Sequence, residues 1–212
     1  MSGAPPRKRP VCPRCLRAQS SCICHWIRSL ASQTQVLILQ HPLEIHQAKG
    51  SGRLLHLSLE GSVLVVGEQF EEGRLRALLS ASEAGQAIQP LLLYPRTPGD
   101  RQVALLPDLA IPSRLRLVIL DATWRKSRKM LHLNPLLQTL PRLPLSDPPA
   151  SQYRIRKAHR ADQLSTLEAA CHALAQLEQN AARYLPLLQA FDGFVDQQAA
   201  YVPAGDEFND PA

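Results

Sequence analysis

Three residues in the middle of the chain carry side chains that can do chemistry, and all three stand just after an apolar run. Asp121, Thr123 and Trp124 supply a carboxylate, a hydroxyl and an indole after residues 115–120. The run is too short for an independent helix, so it predicts a buried strand that ends at Asp121. Ligands of α/β sheets bind beside the carboxyl ends of strands, which favours a site here. The structural alternative is a helix N-cap followed by a core tryptophan.

A cluster of positive charge follows at once, with four cations among the next five residues: Arg125, Lys126, Arg128 and Lys129. A solvated helix face usually mixes signs, whereas this one offers contacts for phosphate groups beside a carboxylate. The whole chain of 212 residues has 24 Lys and Arg against 18 Asp and Glu, a net charge of +6. This excess indicates a polyanionic partner, nucleic acid before a membrane surface. No apolar run is long enough to predict a membrane span.

Four of the five cysteines lie close together near the N-terminus. Cys12, Cys15, Cys22 and Cys24 form the pattern C-x2-C-x6-C-x-C. In a cytosolic protein such clustering favours a metal over disulfides. Four thiolates suit tetrahedral zinc in a closed structural site, which has no open position for water. An iron–sulfur cluster, a site in which His25 replaces one thiolate, and free thiols are the alternatives.

A second set of polar residues follows another apolar run, at residues 36–39. Pro42 lacks an N–H and ends the predicted strand, and His41 and Glu44 flank it. The two side chains repeat the arrangement at Asp121, which favours a shared site. The structural alternatives are a hydrogen-bonded buried imidazole and an acid in a first helical turn. Arg53 lies on an amphipathic segment that follows, either exposed or facing the site.

A third informative stretch lies in the last third of the chain. Residues 153–160 alternate cationic and apolar side chains like a strand or an extended loop; the cations are Arg154, Arg156, Lys157 and Arg160. Ser165 and Glu168 form a capping box that predicts the start of an amphipathic helix, with Cys171 on its core face. The N-terminus of that helix has N–H groups that can hold a carboxylate or a phosphate.

The predicted fold class is α/β, with a mostly parallel sheet and helices on both faces. Four apolar runs predict strands, and helical patterns separate them; the runs are residues 36–39, 63–66, 90–94 and 115–120. Continuous apolar strands of this kind are typical of a parallel sheet buried on both sides. Residues 26–32 predict a helical turn or more, and residues 141–149 predict a proline-rich turn.

The chain divides into four predicted parts: a flexible basic arm at 1–10, a four-cysteine zinc knuckle at 11–30, a catalytic domain at 31–202 and an acidic tail at 203–212. The basic arm has no apolar stretch behind it, so it does not predict a signal peptide, and a cytoplasmic protein is expected. No glycine-rich dinucleotide fingerprint, phosphate-binding lysine loop or G-x-S-x-G elbow is found. The sequence indicates no particular oligomeric state.

Taken together, these motifs resemble the DTW-domain family. They are the four cysteines, His41-Pro42-x-Glu44, Asp121-x-Thr123-Trp124, Tyr153-x-Ile155-Arg156-Lys157, and Leu164-Ser165-Thr166-x-Glu168-Ala169. The resemblance implies a fold related to the knotted SPOUT α/β class. It also implies a tRNA-uridine aminocarboxypropyltransferase, which moves the 3-amino-3-carboxypropyl group of S-adenosylmethionine to N3 of a uridine in tRNA and releases methylthioadenosine.

The resemblance gives each motif an expected role. Asp121 is the candidate base for the N3 proton, with Thr123 and Trp124 beside it as catalytic residues, and Trp124 can stack on adenine or uracil. The expected cofactor-binding residues are His41, Glu44, Arg53, Arg154, Arg156, Ser165, Thr166 and Glu168. The expected ligands of tRNA phosphates are Lys126, Arg128, Lys129, Lys157 and Arg160. Cys12, Cys15, Cys22 and Cys24 are the expected ligands of a structural Zn²⁺.

Two other functions fit parts of the sequence. A SPOUT-type RNA methyltransferase would use the same fold and the same cofactor. A zinc-knuckle RNA-binding protein without catalysis would explain the charge and the cysteines, but not three apolar strands that end in polar clusters.

Overall fold

The fold is built on a parallel β-sheet. The computed structural model describes residues 10–80, 87–95, 111–145 and 164–201. Within this part of the chain five strands pair in the order β2-β1-β4-β3-β5, and all four pairings are parallel. The strands are β1 (Gln35–Gln40), β2 (Val63–Val66), β3 (Gln89–Leu93), β4 (Leu115–Asp121) and β5 (Arg142–Leu143). The predicted α/β class with a parallel sheet is therefore confirmed.

Helices cover both faces of the sheet. They are α1 (Gly52–Ser58), α2 (Glu72–Ser80), α3 (Trp124–Leu133), α4 (Pro135–Gln138), α5 (Thr166–Glu178) and α6 (Ala181–Ala199). Alternate residues of β4 point to opposite faces, so Leu117 and Ile119 pack with α1, α5 and α6, while Val118 and Leu120 pack with α2, α3 and α4. Two apolar cores result, which explains why β4 is buried along its whole length.

The strand order places a switch in chain direction between β1 and β4. From β1 the chain passes through α1 to β2 on one side, and from β4 it passes through α3 and α4 to β5 on the other. The two central strands pair in register, with Gln40 opposite Asp121. In open parallel sheets such a switch leaves a crevice outside the carboxyl ends of the two strands. The residues that follow Gln40 and Asp121 therefore border the crevice.

The predicted helix at residues 26–32 is wrong. The structure has only a short 3-10 turn at Cys24–Trp26, followed by extended chain. The N–H of Leu30 donates to the carbonyl of Ser58, and its carbonyl accepts from the N–H of Glu60. Leu30 therefore uses its backbone groups on the end of α1, not within a helix.

Part of the segment 141–149, which was predicted as a proline-rich turn, forms an edge strand. Arg142 and Leu143 form β5 beside β3, and both are buried. Two residues are too few to show a period, so the sequence pattern did not reveal this strand.

The cysteine-containing segment packs on α6. The ring of Trp26 lies directly over Gly193, where a Cβ would come within 2.2 Å of it, and its Nε1 donates to Oε1 of Gln197 at 2.6 Å. Nε2 of Gln197 in turn donates to the carbonyl of Cys22. Among the described helices, none is long and apolar enough to span a membrane.

Candidate active site

Asp121 is the buried end of β4, and two neutral side chains hold its carboxylate. Nε2 of Gln40 donates to Oδ2 at 2.8 Å, and Oγ1 of Thr166 donates to Oδ1 at 2.7 Å. The side chain is only 5% exposed. Gln40 is the register partner of Asp121 on β1, whereas Thr166 is the first residue of α5. Donors on two elements thus fix the carboxylate in one orientation.

Two helices begin beside this carboxylate. The start of α5 at Thr166 contributes the partial positive charge of a helix N-terminus, which favours a neighbouring anion. The start of α1 approaches from the other side, where a Cβ on Gly52 would lie 2.2 Å from Oδ2 of Asp121. Only a residue without a side chain leaves room for the carboxylate at this position.

The capping box at the start of α5 is present, as predicted. Oγ of Ser165 accepts from the N–H of Glu168 at 3.2 Å, and Oε2 of Glu168 accepts from the N–H of Ser165 at 2.8 Å. The N–H of Leu167 donates to Oγ of Ser51. Protein side chains therefore already use two first-turn amides of α5. This helix end acts on Asp121 through Thr166, a role that the sequence did not reveal.

Both ring nitrogens of His41 are engaged in hydrogen bonds. Nδ1 accepts from the N–H of Leu43 at 3.1 Å, so the ring hydrogen is on Nε2, which donates to Oε1 of Glu68 at 3.0 Å. A ring held in this way offers no lone pair for proton abstraction. The hydrogen-bonded buried imidazole, one of the two alternatives for His41, is what the structure shows.

Two carboxylate–lysine pairs flank the crevice. Lys126 donates to Glu44 at 2.8 Å, and Lys129 donates to Glu68 at 3.0 Å. The hydrogen bond from His41, and then that from Lys129, lowers the pKa of Glu68. Sequence reasoning missed Glu68, although it follows β2 in the same way that Asp121 ends β4. The rule that found Asp121 would have found this residue too.

Trp124 offers an exposed aromatic surface at the same edge. It begins α3 and is 50% exposed, and its ring meets Tyr94 edge-on with centroids 5.5 Å apart. Tyr94 follows β3, is buried and was not predicted as a site residue. Thr123 is the N-cap of α3, but its hydroxyl makes no capping hydrogen bond.

Two of the remaining predicted site residues, Arg53 and Arg128, lie in the described part of the chain. Nη2 of Arg53 donates to the carbonyl of Arg14 at 2.7 Å, so its guanidinium is at the cysteine-containing segment. Arg128 is exposed on α3, as is its neighbour Arg125. Four predicted residues lie outside the described part of the chain: Arg154, Arg156, Lys157 and Arg160.

The four N-terminal cysteines form a compact donor set. The sulfurs of Cys12, Cys15, Cys22 and Cys24 all lie within 4.8 Å of one another, with separations of 3.6 Å for Cys12–Cys24 and 3.8 Å for Cys15–Cys22. Tetrahedral zinc with Zn–S bonds of about 2.3 Å needs sulfurs about 3.8 Å apart, so the residues fit the ion. The ring of His25 lies 4.7 Å from the ring of Trp26, tilted by 50°, and is not part of this donor set.

The backbone and burial act on these thiols in opposite directions. The backbone N–H of Cys15, and then that of Arg14, lowers the pKa of Cys12 to about 6. Burial first, and then hydrogen bonds from the neighbouring thiols, raises the pKa of Cys24 to about 12. Cys12 and Cys24 thus hold their protons unequally, and a divalent ion that binds thiolates would remove this competition.

The cysteine-containing segment also contacts the chain just before α1, the helix whose first residue lies against Asp121. Arg17 donates to the carbonyl of Ala48 and, at 2.8 Å, to that of Gly50. Its guanidinium lies 5.0 Å from the ring centre of Phe194 on α6. Gly50 is two residues before Gly52, so the cysteine-containing segment holds the chain just before α1 reaches the carboxylate.

Comparison with known proteins gives matches along most of the chain. The family model described as DTW domain matches residues 9–199. A mouse protein named tRNA-uridine aminocarboxypropyltransferase 2 is 30% identical over 209 residues, which cover 95% of this chain and 68% of the relative. A Drosophila melanogaster protein of the same name is 32% identical over 183 residues, covering 84% and 70%. No solved structure matches significantly.

We expect the purified chain to hold one Zn²⁺, measured by elemental analysis, because the donor set fits that ion. Cys24→Ser should lose the metal and lower the melting temperature, as should chelation of the unchanged protein. The control is Cys171→Ala, which alters a buried core cysteine outside the donor set and should keep the zinc. Bound iron with visible absorption would contradict the zinc assignment. So would a metal-free protein with the same melting temperature as the protein before chelation.

We expect Gly52→Ala to lower the free energy of unfolding by about 1–3 kcal/mol, because the new methyl group overlaps a pinned carboxylate. Urea denaturation measures this change. The control is Gly73→Ala on the exposed side of α2, where only the flexible side chain of Glu71 is near, and the effect should stay within about 0.5 kcal/mol. Equal stability of the two variants would show that Asp121 is not confined as described.

Proposed function

The chain belongs to the DTW-domain family, and from this membership we propose that it is a tRNA-modifying enzyme that transfers an aminocarboxypropyl group to a uridine. The names of its relatives support the reaction. In the structure, the main support for this function is the buried carboxylate of Asp121, which is held in one orientation where β1 and β4 end. The exposed ring of Trp124 follows it in the chain. We further propose S-adenosylmethionine as the donor, N3 of the uridine as the acceptor and a fold related to the knotted SPOUT class.

The proposed step is a displacement at carbon. A bond forms between uracil N3 and Cγ of the methionyl chain while the Cγ–S bond breaks. Sulfur takes the electron pair of that bond and leaves as neutral methylthioadenosine, and the N3 proton passes to a base. The sulfonium is already a good leaving group, so the enzyme has to remove the proton and to select one of three carbons on sulfur.

Asp121 suits the role of base through its position. Gln40 and Thr166 each bond one carboxylate oxygen, which fixes the plane of the group where β4 ends. His41 is excluded as the base, because its two nitrogens are occupied.

Trp124 supports the proposal as a platform for the uracil ring. A base withdrawn from its stack needs an aromatic or apolar surface, and stacking contributes about 1–3 kcal/mol per base. Tyr94 supports the indole from one edge, and about half of the Trp124 surface stays open. The hydroxyl of Thr123 stands beside it, free of the helix cap, and can hydrogen-bond a uracil carbonyl.

The exposed cations of α3 suit the phosphates of tRNA. Arg125 and Arg128 project from the helix that begins at Trp124, and neither makes a hydrogen bond or ion pair with a described residue. They would neutralise phosphates close to the extruded uridine. The cysteine site would hold Zn²⁺ as a structural ion, which takes no part in the transfer.

The test incubates unmodified tRNA with S-adenosylmethionine labelled in the methionyl chain. Label should enter the tRNA as methylthioadenosine is released in equal amount. Asp121→Asn should lower turnover about a hundredfold or more and leave tRNA binding unchanged, because the shape is kept and the base is lost. Glu72→Gln, which alters an exposed carboxylate on α2, should keep full turnover. Release of S-adenosylhomocysteine would show methyl transfer instead, and turnover of Asp121→Asn within tenfold of the unchanged protein would overturn the base assignment.

We expect the double variant Arg125→Ala/Arg128→Ala to bind all tRNAs more weakly. The slope of log affinity against log salt should become shallower by about two, because each lost phosphate contact removes about one. Arg74→Ala/Arg76→Ala on α2 removes the same charge from another exposed helix and should keep the slope. An equal change of slope in both double variants would mean that tRNA binding depends on the net charge of the protein and not on specific phosphate contacts from α3.

A further inference from the structure

The ion pair between Glu44 and Lys126 lies across the mouth of the crevice. Glu44 stands four residues after Gln40, in the 3-10 turn that follows β1, and Lys126 lies in the first turn of α3 after β4. Their Nζ···Oε1 distance is 2.8 Å, and the side chains are 6% exposed for Glu44 and 25% for Lys126. The pair therefore bridges the two loops that leave the central strands at the switch point.

Stability alone gives a weak reason for this pair. Removing two charges from water costs free energy that their attraction often does not repay, and apolar residues in the same place are frequently no worse. The other cations of α3 behave differently: Arg125 and Arg128 are exposed, and Lys129 is 59% exposed. Lys126 is thus drawn into the crevice, although the sequence grouped it with the phosphate ligands.

We propose that Glu44 and Lys126 together recognise the zwitterionic α-amino acid end of S-adenosylmethionine. This inference rests on the proposed function. The carboxylate of Glu44 holds the donor ammonium, and the ammonium of Lys126 holds the donor carboxylate. Both charges of the ligand then meet opposite charges, so the four groups compensate one another in a partly buried place.

This assignment agrees with the hydrogen bonds around it. The hydroxyl of Ser165 is used in the α5 cap, and that of Thr166 donates to Asp121. His41 is likewise occupied by Leu43 and Glu68. Of the two carboxylate–lysine pairs described at the crevice, Glu44–Lys126 is the more buried, and its two residues follow the central strands β1 and β4.

The assignment also explains how one carbon of three is chosen. The α-carbon of the donor is two bonds from Cγ, the carbon that is transferred. Holding the amino acid end therefore fixes Cγ, whereas holding only the adenosine would leave the methyl group equally able to approach the base. The site thus holds the aminocarboxypropyl group, which is the group transferred. The methylthioadenosine that leaves has neither the ammonium nor the carboxylate.

The experiment is calorimetric titration of S-adenosylmethionine and of its decarboxylated analogue, which keeps the ammonium and lacks the carboxylate. The unchanged protein should bind the complete donor about ten- to a hundredfold more tightly. Lys126→Met should remove most of this preference, and Glu44→Gln should weaken both ligands. Lys129→Met, the matched control on the same helix, should keep the preference.

A further variant guards against misfolding. Glu44→Gln/Lys126→Met removes both charges, so neither is left buried alone, and it should fold, bind tRNA like the unchanged protein and show no preference between the two ligands. A preference retained by Lys126→Met or by the double variant overturns the assignment. Failure of the unchanged protein to bind S-adenosylmethionine or to release methylthioadenosine would instead overturn the proposed function.

Discussion

The carboxylate of Asp121 and its hydrogen bonds to Gln40 and Thr166 are the interaction on which the rest of the site depends. A buried carboxylate must find donors, and here they come from the neighbouring strand and from a helix that begins 45 residues later in the chain. Gly52 lets a second helix begin against the same group. One side chain therefore contacts the neighbouring strand β1 and the first residues of both α1 and α5.

Charge around this carboxylate is divided between two regions. Lysines of α3 that turn toward the sheet meet Glu44 and Glu68, whereas Arg125 and Arg128 face solvent. The described lysines of α3 are therefore paired with carboxylates beside the sheet, whereas the outer face presents cations that suit a polyanion. One short helix serves both, because successive residues on it point in different directions.

The sequence predicted the parts that carry a strong local signal. Continuous apolar runs identified four strands, the Ser165–Glu168 box identified the start of α5, and cysteine spacing identified the donor set. The contacts that assemble the site have no such signal. The family motif predicts Thr166 as a cofactor-binding residue and gives no sign of its bond to Asp121. Tyr94 looked like the end of a strand, and the two residues of β5 looked like part of a turn. Only tertiary packing shows these contacts.

If Asp121 is the base, its carboxylate must face the nitrogen that is alkylated. A crystal structure of the protein with S-adenosylmethionine and a uridine-containing tRNA fragment tests it most directly. We expect uracil N3 to lie within about 3.2 Å of a carboxylate oxygen of Asp121, or one water away, with Cγ of the donor on its other side. A uridine bound away from the carboxyl ends of β1 and β4, with another group against N3, would contradict it.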